Sequence, residues 1–215
     1  MKSFLIIGLG RFGEALAREL FRLGHEVMVV DKDEDAITRI SDYVTHSLVA
    51  DVRDENVLRT IGARNFDHAI VAFSENIQDN ILVTLMLKEM GVRDVISKGT
   101  NDLHVKVLKK IGADRIVFPE SDMGVRLAQT LSSGNIIDYI EISENYSISE
   151  IATPKKWIGN SIKKLDIRAR YGINILAIKG QDGRTVSVTP SPDYMIKAGD
   201  ILVVVGANDD IQNLE

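Results

Sequence analysis

Apolar positions fall into two textures along the chain. Over the first 130 or so residues, short continuous apolar runs alternate with helix-length amphipathic stretches. Phe4 to Ile7 is the first run, and Ala15, Leu16, Leu20 and Leu23 then recur on one helix face. Gly24 stops that helix, and Val27 to Val30 follows as a second buried strand. The unit repeats: a helix near Glu34 to Ile40 leads to Ser47–Ala50, and one near Asp54 to Ile61 leads to Ala69–Ala72. A long apolar helix from about Ile77 to Met90, ended by Gly91, precedes Asp94–Ile96; a helix near Leu103 to Ile111 precedes Arg115–Phe118. Ile61-Gly62-Ala63 and Ile111-Gly112-Ala113 each put glycine where a left-handed C-cap is wanted, just before a strand. Six strands with intervening helices predict an α/β fold with a Rossmann-like, doubly wound parallel sheet, because parallel neighbours need crossover connections.

After a helix from about Asp122 to Leu131, the texture changes at Ser132-Ser133-Gly134-Asn135. Short strands follow, broken by prolines and glycines. Ile148–Ile151 and Thr185–Val188 read as exposed strands, and Ile175–Ile178 and Ile201–Val205 as buried ones. One or two helical turns fit Ile162 to Arg168. The expected division is an N-terminal nucleotide-binding domain, 1–135, and a small α+β lobe, 136–215.

Composition narrows the function classes. With 45% hydrophobic and 27% charged residues the chain is ordinary globular protein. A net charge of -5 disfavours general attraction to nucleic acid or anionic lipid. Cysteine is absent, which excludes disulfides and thiolate metal sites. No stretch approaches the roughly 18 apolar residues that read as a bilayer span. Met1-Lys2-Ser3 runs directly into an apolar strand without the h-region of a signal peptide. The expectation is a cytosolic protein whose only route to a membrane is a partner.

Gly8-Leu9-Gly10-Arg11-Phe12-Gly13 matches G-x-G-x-x-G directly after a strand and opening a helix, and Asp31 ends the second strand 18 positions beyond Gly13. Gly8 permits the tight turn, Gly10 lets a phosphate approach the backbone, and Gly13 lets the helix pack on the strand. The helix N-terminus presents N–H groups and a positive dipole end. An acid in the place of Asp31 accepts ribose hydroxyls and repels a 2′-phosphate, so NADP is disfavoured. Arg11 has two readings, a guanidinium beside a triphosphate chain or a surface arginine. Asp51 and Val52, after the third strand, sit where an adenine edge and face would be met. No P-loop motif occurs. The four histidines, His25, His46, His68 and His104, all precede residue 135 and read as structural or surface groups. No paired-carboxylate or metal-ligand spacing stands out, so no catalytic residue is assigned and a non-enzymatic protein is expected. Glu120 also has two readings, a ligand for a cation bridging to phosphate or an acid complementing a helix dipole.

The glycine phrase, Arg64 to Ala72, Lys110 to Val117, Pro119 to Gly124 and Asp166 to Ile175 together resemble the Ktr/Trk regulatory subunits, the RCK-domain proteins that gate bacterial potassium transporters. The resemblance spans nearly the whole chain. It implies an octameric ring of dimers, peripheral to the inner face of the cell membrane, docking on a potassium transporter, with ATP and ADP favouring opposite states. NAD or NADH, in a redox sensor or small oxidoreductase, is the alternative. On the resemblance, Asp31 binds ribose, Arg11 approaches the terminal phosphate, Lys98 lies near the nucleotide and Glu120 serves a divalent or monovalent cation site between subunits. The implied nucleotide set is Gly8, Gly10, Arg11, Phe12, Gly13, Asp31, Lys32, Asp51, Val52, Ala72, Phe73, Lys98 and Glu120. The small lobe resembles one that binds cyclic di-AMP, through Ile167, Arg168, Asn174, Ile175 and Pro190. Two departures stand out: Phe73-Ser74 replaces a usual Ile-Gly, and Gly99-Thr100 a usual Ala-Gln.

Overall fold

A computed structural model describes residues 1–215 apart from Ser74, Ser133, Arg184 and Glu215. The expectations that touch Ser74 and Ser133 lie, at those two positions, outside the described residues. The chain divides into two compact units, Met1–Pro119 and Glu120–Glu215.

In the first unit, strands β1 (Ser3–Ile7), β2 (Glu26–Asp31), β3 (His46–Val49), β4 (His68–Val71), β5 (Val95–Lys98) and β6 (Arg115–Val117) form one sheet in the order β3-β2-β1-β4-β5-β6. Every pairing is parallel. This is the Rossmann order, with its reversal between β1 and β4. The crossovers carry helices α1 (Arg11–Arg22), α2 (Glu34–Ile40), α3 (Glu55–Thr60), α4 (Ile77–Glu89) and α5 (Asp102–Lys110). The continuous apolar runs follow from this layering: Leu5 and Ile7 belong to one core cluster, and Ile6 to a second on the opposite face. Gly62 and Gly112 adopt the expected left-handed conformation at φ 67° and 94°.

One expected face is rotated. In α1 the buried residues are Gly13 and Ala17, with Leu16 and Leu20 packed against the core, while Ala15 and Leu23 are exposed. The inward stripe is therefore 13-16-17-20. Glycine and alanine face the sheet because the helix crosses close to it, and a search for large apolar residues passes over them.

The second unit begins with α6 (Pro119–Ser132) and contains an antiparallel sheet of order β10-β9-β11-β8-β7. Its strands are β7 (Ile136–Ser143), β8 (Tyr146–Ala152), β9 (Asn174–Lys179), β10 (Val186–Val188) and β11 (Ile201–Ala207). Helices α7 (Ile162–Leu165), α8 (Ile167–Tyr171) and α9 (Asn208–Gln212) complete it. The sequence-based division at 135/136 and the structural one at 119/120 differ by α6, which an Arg126–Asp138 ion pair of 2.6 Å ties to β7. β8, expected to be exposed, lies between β11 and β7 with Ser147, Ser149 and Ile151 facing inward. The two serines satisfy each other at 3.3 Å, so polar residues occupy core positions that a hydrophobic pattern assigns outward. β7 has no counterpart in the sequence reading. Asp166, at φ 46°, breaks the expected helix into α7 and α8.

Candidate functional site

Five of the parallel strands deliver candidate residues to one edge, their carboxyl ends. Gly8 follows β1, Asp31 ends β2, Asp51 follows β3, Ala72 follows β4 and Lys98 ends β5. Ligands of open α/β sheets bind at this edge, at the reversal of strand order. Gly8 donates its N–H to the Val30 carbonyl at 2.9 Å and turns at φ 96°. A Cβ at Gly8 would stand 2.9 Å from Phe73 Cβ, and one at Gly13 only 2.0 Å from the Gly8 carbonyl oxygen. The β1–α1 turn and the segment after β4 are thus pressed together, with Ala72 buried beside Gly13. Gly10 differs: a Cβ there meets no atom of the chain within 4 Å. It is the N-cap of α1 and gives the helix no side-chain cap.

Asp31 holds this cradle. One carboxylate oxygen accepts the Leu9 N–H at 2.5 Å and the other the Asp33 N–H at 2.9 Å, so the acid at the tip of β2 is hydrogen-bonded to the glycine loop itself. Arg11 is exposed on the first turn of α1, Phe12 packs partly into the core, and Lys32 is exposed. Asp51 is exposed and engaged: Arg53 grips its carboxylate, with Nε 2.9 Å from Oδ1, and reaches toward Asp79 at 3.9 Å. The Arg53 hydrogen bonds hold the Asp51 carboxyl down at about 2. Val52 is buried in the core. Lys98 is buried.

A polar cluster that sequence reading missed lies behind this edge. Asn80, Thr84, Ser97 and His104 are all buried and hydrogen-bonded to one another. The signal for Asn80 was an amide inside the apolar pattern of α4. Burial lowers the His104 pKa, so the fold holds the neutral ring. An unfolded histidine takes up a proton near pH 6.5, so below that the unfolded state binds more protons and stability falls with pH. Urea titrations of the full chain between pH 7 and 5 therefore give a decreasing midpoint, and His104→Gln flattens the dependence; an unchanged slope removes His104 as its source.

The other histidines lie elsewhere. His68 stacks on Phe4 with ring centroids 4.9 Å apart and pairs with Asp94 at 2.6 Å, at the amino-terminal edge of the sheet. His25 also packs on Phe4, and His46 is exposed. Glu120 is exposed on the first turn of α6, in the second unit. Among the described residues no group of three or more His, Asp or Glu side chains gathers as a metal site.

In the second unit, Ile167 is buried and Arg168 and Asn174 are exposed. β9 is bulged against β11 at Leu176, whose carbonyl accepts the Thr189 N–H at 2.8 Å. This bond continues the β10–β9 pairing one residue beyond Val188, to the residue before Pro190. Among the described residues, Asp166 and Thr189 are the non-glycine residues with positive φ, at 46° and 51°. Each directly precedes a candidate residue, Ile167 or Pro190.

Comparison with known proteins agrees with this architecture. The TrkA-N domain profile matches residues 4–119 and the TrkA-C domain profile residues 147–215. Ktr system potassium uptake protein C of Bacillus subtilis (strain 168) is 49% identical over 214 residues, covering 100% of this chain and 96% of that protein. Ktr system potassium uptake protein A of the same organism is 45% identical, with the same coverage of both. The GsuK RCK domain shares the fold with a TM-score of 0.69 at 20% identity, over 99% of this chain and 47% of that one. Matched in both halves, and sharing nearly half its residues with relatives of nearly the same length, this chain belongs to the KtrA-type, RCK-domain family of Ktr and Trk potassium uptake proteins.

Proposed function

We propose that this chain is the cytosolic regulatory subunit of a membrane potassium transporter, and that it works by binding ATP or ADP in the β1–α1 cradle. The observation that carries this reading is the Asp31 carboxylate bonded to the Leu9 N–H beside a helix N-terminus that has no side-chain cap. Together they offer a ribose acceptor and a phosphate donor set on one rigid loop. The reading is non-enzymatic, with nucleotide binding rather than turnover as the signal. Nucleotides that bind the two ring shapes with different affinity shift the equilibrium between them, and the ring transmits that shift to the transporter.

Homo-oligomerisation is supported by apolar side chains left outside. Met123, Leu127 and Leu131 recur every four residues along α6 and are 58%, 53% and 77% exposed. A stripe of that kind calls for a covering copy. We assign it to dimers that assemble into an octameric ring, which native mass spectrometry with and without ATP reads directly. Cyclic di-AMP is the second ligand, with Arg168 for phosphate, Asn174 for a base edge, and Ile167, Ile175 and Pro190 for packing; absence of heat on titrating it into the full chain removes it.

A thermal-shift panel tests the main reading: ATP and ADP stabilise the chain. Large stabilisation by NADH with none from either adenosine phosphate would falsify it in favour of an NAD(H)-binding redox sensor. Asp31→Ala weakens both nucleotides by about 1.5–3 kcal/mol, the worth of hydrogen bonds to a charged group. Arg11→Ala weakens ATP more than ADP; equal losses refute a terminal-phosphate role for that guanidinium.

A further inference from the structure

Asn80 lies on α4 with no exposed surface, and all four of its side-chain hydrogen-bonding positions are used. Its Nδ2 donates to the Phe73 carbonyl at 2.8 Å and to the Lys98 carbonyl at 3.3 Å. Its Oδ1 accepts from Ser97 Oγ at 2.8 Å and meets His104 Nε2 at 3.2 Å. The orientation of the amide is dictated, because the flipped form would point its oxygen at two carbonyls. The tautomer of His104 follows. Nε2 faces an acceptor and must carry the proton, which leaves Nδ1 to accept from Thr100 Oγ1 at 3.0 Å.

The two carbonyls fixed by Asn80 belong to Phe73 and Lys98, the candidate nucleotide contacts on the far side of the cradle. Phe73 is also the residue against which Gly8 is pressed. One buried amide, held in place by one imidazole, therefore ties the segment after β4 to the end of β5. We propose that Asn80 and His104 are positioning residues of the nucleotide site: neither touches the ligand, and together they set how far Phe73 and Lys98 stand from the glycine loop. ATP carries more charge than ADP toward a lysine on that wall, so loosening the wall changes the two affinities unequally. The inference rests on the proposed reading of the cradle as a nucleotide site.

The test is titration calorimetry of the full chain with ATP and ADP, well below melting, with circular dichroism confirming the fold. His104→Leu removes the donor to Asn80 and is expected to change the ratio of ATP to ADP affinity by about fivefold. His104→Gln carries an amide N–H in place of Nε2–H and is expected to return the ratio to within about twofold of the parent. If His104→Leu does not fold, Thr100→Val is read instead. That position is exposed, and losing the hydroxyl frees the ring to turn, shifting the ratio in the same direction by a smaller factor. A lowered melting temperature with the ratio unchanged in these variants means a purely structural cluster and overturns the proposal. A parent chain that binds neither nucleotide overturns the reading of the site itself, and this inference with it.

Discussion

Gly13→Ala is expected to destabilise the first unit by about 3 kcal/mol, the upper end for overpacking, and to abolish nucleotide binding. The added Cβ would stand 2.0 Å from the Gly8 carbonyl oxygen and 3.1 Å from Ala72 Cβ. Neither neighbour has room to give. The first is backbone, locked by the Gly8 N–H bond to Val30, and the second is buried. Relief requires α1 to lift from the sheet, which moves the first-turn N–H groups away from Asp31. For a unit of this size the loss corresponds to a fall in melting temperature of about 12 °C. Gly10→Ala is the control that separates fold from ligand. Gly10 has φ -65°, and its Cβ would meet nothing within 4 Å. Reduced freedom of the unfolded chain favours alanine there, and N-cap preference favours glycine by a similar amount, so stability stays within about 0.5 kcal/mol. Any loss of affinity in Gly10→Ala then reports a ligand approaching that backbone. Parent-like nucleotide affinity in Gly10→Ala removes the cradle; an unchanged melting point in Gly13→Ala removes the packing argument.

The two glycines also mark what a sequence makes legible. Gly8, Gly13 and Asp31 act through the backbone of one turn and one strand end, so their spacing in the chain is their geometry. The strands of the first unit are equally readable, because β1, β2, β4 and β5 are built on runs of largely buried apolar residues and Gly24, Gly62, Gly91 and Gly112, all at positive φ, end the helices that precede β2, β4, β5 and β6. The Asn80 cluster is not readable in this way. Three of its partners lie 17, 18 and 24 residues from Asn80, on β5 and α5, and only the packing of α4 against those elements brings them together. In the second unit, alternation on β8 misleads because serines face the core. β7 escaped because Ile137, Ile140 and Ile142 are 45%, 58% and 56% exposed on an edge strand, and so match neither buried nor amphipathic templates. Arg53 escaped for a third reason, since an exposed arginine gains meaning only from the two aspartates it spans.

Trp157→Ala is expected to destabilise the second unit by about 4 kcal/mol, while Trp157→Phe changes it by no more than about 1 kcal/mol. Trp157 has no exposed surface and is among the largest side chains of the core that includes Ile151, Ile173 and Leu202. The Tyr171 ring meets it edge-on, with centroids 5.0 Å apart. Truncation to alanine loses this burial and opens a cavity between the sheet and the α8 segment. Phenylalanine keeps most of the aromatic contact and also removes a liability: among the described residues, Trp157 Nε1 is buried without a hydrogen-bond partner. Leaving a buried donor unsatisfied costs about 1–3 kcal/mol, which offsets much of the lost volume. Since Trp157 is the only tryptophan in the chain, its fluorescence reports this unit in the parent and is lost in both variants. Hydrogen exchange of β8 and β11 peptides in the full-length protein is therefore the measurement. Comparable acceleration of exchange in both variants sinks the claim that the indole nitrogen is a burden, and parent-like protection in Trp157→Ala sinks the claim that this residue anchors the core.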